Sequence, residues 1–266
     1  MKRALALLAT ILIFFTNSSF ATFPVWEYAI DPLILEDLHD YLVLTSKETL
    51  LDASYIPQDL VKVKVHATNP GMELRQVAAR ALEKMFQAAK EDGYTLYLKS
   101  AYRSYQTQKT MYKNRLEKYS RDDGVVAFPG SSDHQTGLAA DILNYAWTQQ
   151  DGMRPEFSET KEAQWMAENC HRFGFILRYM EDKQEITGII FEPWHFRYVG
   201  LECAEYIMSN HLSLEEFTQE VKDAIMDFEQ LGGDFRLYCE ELKRLPPPIV
   251  LDNEEDGEVS LFYTSP

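Results

Sequence analysis

Five short apolar stretches read as strands, Tyr94–Leu98, Ala139–Leu143, Phe175–Leu177, Ile189–Phe191 and His195–Val199, and what separates them never repeats. A polar helical stretch over 105–119 and a loop with Asp122, Asp123, Gly124, Pro129 and Gly130 stand between the first two. An amphipathic helix over Glu159–Phe173, with Ala163, Trp165, Met166 and Cys170 toward the core, precedes the third, and a turn at Glu181-Asp182-Lys183 follows it. Without a regular βαβ rhythm, the pattern predicts an α+β domain. Upstream, Asn69 reads as a helix cap with Pro70 in the first turn, and Leu74, Val77, Ala78, Ala81, Met85 and Ala88 keep helical spacing up to Gly93. Downstream, Ser213 and Glu216 form a capping box that opens a helix to about Leu231, closed by Gly232-Gly233.

The ends of the chain read differently. Lys2 and Arg3, the run Ala4 to Phe15 and the small-residue flank ending at Ala21 make the three-part pattern of a secretory leader, cut after Ala21. A twelve-residue run is too short for the ~20 residues that span a bilayer, and no later segment supplies a span. The reading is therefore an exported protein of the cell envelope or the medium, without a transmembrane span once the leader is gone. Residues 22–53 mix aromatics and acids as a lead-in, and Pro246-Pro247-Pro248 with the acidic run Asp252 to Glu258 looks like an appended, solvated tail. The formal charge is −16, falling to about −18 when Lys2 and Arg3 leave, which is the wrong sign for a nucleic-acid binder. Cys170, Cys203 and Cys239 are odd in number and far apart; they fit either one disulfide with a free thiol or three buried small side chains.

Six histidines are present. His39, His66, His171 and His211 have no partner spacing and read as ordinary surface or core-edge residues. His134 precedes Asp141 by seven positions, and His195 follows Glu192 by three. Two imidazoles and a carboxylate are a reasonable ligand set for zinc that leaves a fourth position open, as a catalytic site requires. Water activated there still needs a base, for which Glu192 is the candidate, with Pro193 stiffening the backbone between it and His195. If His195–Val199 is a strand, His195 and Arg197 face one way and Phe196 and Tyr198 the other. Trp194 fits either the core or a substrate wall.

Three segments in order, Ser100-Ala101-Tyr102-Arg103-Ser104, Ser132-Asp133-His134-Gln135-Thr136-Gly137-Leu138-Ala139-Ala140-Asp141 and Glu192-Pro193-Trp194-His195-Phe196-Arg197-Tyr198-Val199-Gly200, resemble the signature of the VanY-type zinc D-alanyl-D-alanine carboxypeptidases. Tyr55-Ile56-Pro57 and Phe173-Gly174-Phe175-Ile176-Leu177-Arg178-Tyr179 add to the resemblance, which covers about residues 42–217. The acidic turn Met180-Glu181-Asp182-Lys183 departs from the family pattern, as do Ala101 and Ala140, but no departure touches the metal set.

The resemblance implies a small antiparallel sheet flanked by helices in a single zinc-peptidase domain. It implies His134, Asp141 and His195 on zinc, Glu192 as catalytic base and Arg103 as catalytic and substrate-binding residue on a C-terminal carboxylate, with Ser132 and Gln108 lining the same end of the substrate. The expected partner is a peptidoglycan stem peptide, the default state a monomer, and the expected activity removal of its C-terminal D-alanine. Alternatives are L,D-carboxypeptidase action on tetrapeptide stems and a catalytically silent zinc domain that binds wall peptides or a partner. The expected division is a leader over 1–21, a lead-in over 22–53, the catalytic domain over 54–217, and a C-terminal helix and acidic tail over 218–266.

Overall fold

The computed structural model describes residues 23–37, 40–150, 153–245, 249–252 and 259–262. The leader, His39, the triple proline and residues 253–258 of the acidic run lie outside the described residues. In chain order the elements are α1 (Pro32–Asp37), β1 (Leu60–Lys62), β2 (Glu73–Arg75), α2 (Gln76–Glu91), β3 (Leu96–Ser100), α3 (Tyr105–Tyr119), β4 (Ala139–Asn144), α4 (Tyr145–Thr148), α5 (Lys161–Asn169), β5 (Phe175–Leu177), α6 (Gln184–Thr187), β6 (His195–Tyr198), α7 (Leu201–Ser209), α8 (Leu214–Gln230), α9 (Phe235–Arg244), β7 (Ile249–Asp252) and β8 (Val259–Phe262). They fall into two compact units, one spanning Leu38–Gln219 and the other drawn from the chain ends up to Asp37 and from Glu220.

The larger unit is built on an antiparallel sheet of order β3-β4-β6-β5. Alternation along each strand splits its side chains between two faces. Leu96, Leu98, Ala140, Ile142, Phe196 and Tyr198 point to the face covered by α2, whose Ala78, Ala79, Leu82, Met85 and Ala89 are buried with them. Asp141, His195 and Arg197 point to the other. The expected helix from Asn69 is corrected here: Glu73–Arg75 pairs with Leu60–Lys62 as a two-stranded ribbon, so α2 starts only at Gln76 and buries a face one position round from the predicted one. Ile189–Phe191 is not a strand either. It leads into a turn in which His195 N–H donates to the Glu192 carbonyl at 3.0 Å, and Pro193 has no N–H to give a ladder.

The capping box is made as read, Ser213 N–H donating to Glu216 Oε2 at 2.7 Å and Glu216 N–H to Ser213 Oγ at 3.2 Å. Cys170, Cys203 and Cys239 are all buried free thiols, with burial pushing the first two up to about 12 and the third to about 11.

In the smaller unit, Trp26 packs its ring 5.7 Å from Phe228 and 5.2 Å from Phe235, and Lys243 of α9 pairs with Glu36 of α1. The two glycines after α8 have separate duties. Gly232 is left-handed at φ 95°, and a Cβ on Gly233 would stand 2.3 Å from the Phe228 ring. The tail, expected to be solvated coil, carries the antiparallel pair β7–β8.

Candidate metal centre

Asp141 and His195 lie directly opposite each other in the β4–β6 ladder, and Asp141 also faces Ser100 on β3. The third member comes from a single 3-10 turn, Asp133–Thr136, that runs straight into β4 through left-handed Gly137. A Cβ at Gly137 would lie 3.0–3.2 Å from Leu60, Arg75 and Pro57, so the turn needs glycine for space as well as for conformation. This turn brings His134 back over the strand it precedes.

His134, Asp141 and His195 are buried, and one donor atom from each lies within 4.8 Å of the others. They are the only such group of three or more His, Cys, Asp or Glu among the described residues. His134 Nδ1 lies 2.7 Å from the Ala101 carbonyl, which only accepts, so Nδ1 carries the proton and Nε2 presents a lone pair 3.2 Å from Asp141 Oδ2. His195 turns Nδ1 toward Asp141 Oδ1 at 2.9 Å. Atoms bound to zinc at its usual lengths in a tetrahedron stand about 3.3 Å apart, and the two histidine contacts, one to each oxygen of Asp141, lie near that value. The other nitrogen, Nε2, is buried without a hydrogen-bond partner.

Glu192 Oε2 lies 3.7 Å from His195 Nδ1. Its backbone is held by its own N–H to the Tyr179 carbonyl at 3.1 Å, and the Tyr179 ring lies 4.9 Å from the His195 ring. Burial raises the Glu192 carboxyl to about 8. Burial alone would lower His195, but the carboxylates of Asp133 and Asp141 hold it up at about 9. Burial would raise Asp141, yet the two imidazoles keep it well below the usual range.

Both Glu192 and His195 therefore have folded values above their unfolded ones. Each favours the metal-free fold at low pH, and that contribution is lost as pH rises, between about 4.5 and 8 for Glu192 and between about 6.5 and 9 for His195. The thermal midpoint of metal-free protein is expected to fall from about pH 5 to pH 9, and Glu192→Gln to flatten the lower half of that fall. An unchanged slope below about pH 6.5 in that variant would show that Glu192 is ionised already.

Arg103 follows β3 and its side chain is 16% exposed. It donates through Nη1 to Gln108 Oε1 at 2.9 Å and through Nη2 to Ser100 Oγ at 3.0 Å, and Nη2 stands 3.9 Å from Asp141 Oδ2. Gln108 is buried on α3 and gives its amide N–H to the Ala127 carbonyl at 2.7 Å, so both ends of its side chain are engaged by protein. Ser132 is buried beside His134, and its side chain does not cap the turn it precedes. Trp194 is core, at 3% exposure. His66, His171 and His211 sit elsewhere, against Tyr97, Glu205 and Asp182.

Behind the ligands lies a group of charges that the sequence reading did not single out. Asp133 is fully buried; Oδ1 accepts from Thr45 Oγ1 at 2.6 Å and Arg197 Nη1 at 2.7 Å, and Oδ2 from Arg178 Nε at 3.0 Å. Arg178 goes on to a bidentate pair with Glu215 at 2.8 and 2.6 Å, and Arg197 to the carbonyls of Tyr41 and Val43. The signal was present in the alternation of β6, which puts Arg197 on the His195 face.

A family profile for VanY, D-alanyl-D-alanine carboxypeptidase, matches residues 71–201. YodJ of Bacillus subtilis (strain 168), which carries a provisional carboxypeptidase name, is 38% identical over 196 residues, 71% of this chain and 70% of that protein. Among solved structures, the LD-carboxypeptidase LdcB superposes with a TM-score of 0.64 at 37% identity, over 69% of this chain and 88% of its own. A variant of the vancomycin resistance D,D-pentapeptidase VanY in complex with Zn(II) superposes with a TM-score of 0.55 at 33% identity, over 67% and 99%. Fold and site together define a zinc metallopeptidase, with zinc as its cofactor. More narrowly, the chain belongs to the VanY D-alanyl-D-alanine carboxypeptidase family.

Proposed function

We propose that this chain is an exported carboxypeptidase that removes the C-terminal D-alanine of peptidoglycan stem peptides, with His134, Asp141 and His195 holding zinc and Glu192 as base. The observation that carries the reading is the placement of a buried Glu192 carboxylate 3.7 Å from the donor nitrogen of His195, with the Arg103 guanidinium on the far side of Asp141. Bound zinc supplies polarisation of the scissile carbonyl and makes water a stronger acid. Glu192 takes the proton from the attacking water and returns it to the leaving amine. A cation beside it favours its ionised form, as a base requires.

Arg103 meets the terminal carboxylate of the substrate with its planar fork. Gln108 holds that guanidinium by accepting its Nη1–H, and Ser132 is assigned to the same end of the peptide. A cavity of about 370 Å³, lined by residues 44–49, Ala127, Phe128, Ser131, Tyr179 and residues 185–189, offers room for the preceding part of the stem. Export is supported by the leader pattern over 1–21. No helix among the described residues is long and apolar enough to cross a membrane.

The test is mass-spectrometric: purified protein with zinc, then with chelator, incubated with synthetic pentapeptide and tetrapeptide stems. Chelator-sensitive loss of one D-alanine from the pentapeptide is expected. Cleavage of the tetrapeptide alone would assign L,D-specificity, a reading favoured by the likeness to LdcB. No cleavage of either by zinc-loaded protein would leave the silent binding domain. Replacing Arg103 with Ala is expected to lower kcat/KM by about 10- to 10²-fold on free-acid stems and little on amidated ones, since charge-assisted hydrogen bonds contribute about 1.5–3 kcal/mol. Equal losses on both would remove Arg103 from carboxylate recognition.

A further inference from the structure

We propose that Asp133 is the positioning residue that decides which nitrogen of His195 meets the metal, by accepting a hydrogen bond from Nε2–H in the zinc-loaded protein. This rests on the reading of His134, Asp141 and His195 as the ligands.

The imidazole of His195 has two sides. Nδ1 looks at Asp141 and Glu192, and Nε2 is a buried nitrogen with no hydrogen-bond partner, its carboxylate neighbour being Asp133 Oδ2 at 3.9 Å. When Nδ1 gives its lone pair to a metal, the neutral ring must carry its proton on Nε2, and a buried N–H needs an acceptor. Lone-pair accounting on Asp133 identifies one. Each carboxylate oxygen offers about two acceptor positions. Oδ1 uses both, on Thr45 and Arg197, whereas Oδ2 has accepted only from Arg178 and keeps one position for His195.

Asp133 cannot drift toward other partners. It is held by Thr45 and by two fully buried guanidiniums that are themselves anchored, Arg178 on Glu215 at the start of α8 and Arg197 on the Tyr41 and Val43 carbonyls. It is a fixed post, and the His195 ring closes on it by a shift of about 1 Å, the gap between 3.9 Å and an ordinary N–H···O distance. Asp133 touches neither substrate nor metal. It acts through the ring, as outer partners of metal-bound histidines do.

Two measurements on the full chain test this. In protein loaded with cadmium-113 and labelled in its histidine nitrogens and aspartate carboxyl carbons, NMR is expected to show the metal coupled to Nδ1 of His195. It should also show a slowly exchanging Nε2 proton correlated across a hydrogen bond to the Asp133 carboxyl carbon. Coupling to Nε2 instead, or an Nε2 proton with no such correlation, overturns the proposal. Asp133→Asn, checked for folding by circular dichroism, is expected to bind zinc about 10–100-fold more weakly in competition with a chelating dye. A folded variant with unchanged affinity also overturns it; if the variant does not fold, the NMR result on the natural chain decides. If the natural chain binds no zinc, it is the ligand assignment that fails.

Discussion

Glu192→Gln is expected to leave zinc content unchanged and to lower kcat on stem peptides by about 10²–10⁴-fold, the range general acid–base groups contribute. The substitution keeps the shape of the side chain and removes only its ability to take a proton. Its neighbours are poor replacements: on the proposed reading His134 and His195 give their nitrogens to the metal, Asp141 is held ionised between them, and Arg103 carries a permanent charge. KM should change little, because Glu192 is held by its backbone to Tyr179 and not by its carboxylate. The measurement pairs metal content with steady-state kinetics. Full hydrolysis by zinc-loaded Glu192→Gln would end its assignment as base; loss of zinc along with activity would make the residue a ligand instead.

Arg197→Met is expected to destabilise the protein by about 3–5 kcal/mol in urea unfolding, the loss typical when one partner of a buried ion pair is removed. Arg197 is fully buried, and its guanidinium donates to Asp133 at 2.7 Å, to the Tyr41 and Val43 carbonyls at 3.0 and 2.7 Å, and to the Tyr198 carbonyl at 3.2 Å. Methionine fills much of the volume and meets none of those acceptors. Lysine is not a remedy, since one ammonium cannot reach acceptors arranged around a planar fork. Burial would raise Asp133, but Arg197 and Arg178 hold it well below the ordinary carboxylate range. Its contribution is therefore present above the unfolded value and lost as pH falls, so the variant should also show weaker acid dependence. A loss under about 1 kcal/mol would mean that Arg178 alone carries the Asp133 charge.

The clustering of His134, Asp141 and His195 is what the sequence led us to expect, in part because it uses local spacing and strand alternation. His134 to Asp141 spans a turn and a strand start, and the alternation of β6 puts His195 and Arg197 on the same face, as observed. Helices with local signals were legible too: the polar stretch 105–119 forms α3, and the Ser213–Glu216 box opens α8. What failed had its cause elsewhere in the chain. Asn69-Pro70 is a valid helix start in isolation, but Glu73–Arg75 is captured by Leu60–Lys62 and the helix is delayed to Gln76. Asp133 and Arg178 carried no local signal at all, because their partners lie 88, 64 and 45 residues away for Asp133 and 37 away for Arg178. Pairings at such separations are created by the fold and cannot be read from neighbours in the chain.

The direct opposition of Asp141 and His195 in the ladder separates two kinds of inheritance. The metal geometry is stored in backbone hydrogen bonds between two central strands. The cavity that adjoins it through Tyr179, whose ring lies 4.9 Å from His195, is walled largely by segments 44–49, 126–128 and 185–189, all outside the strands. Segments outside a sheet tolerate substitution more readily, whereas a one-residue slip of the ladder would send both Asp141 and His195 to the wrong side of the sheet. On the proposed function, substitutions in these segments would change which peptide is accepted while leaving the placement of Asp141 and His195 as it is.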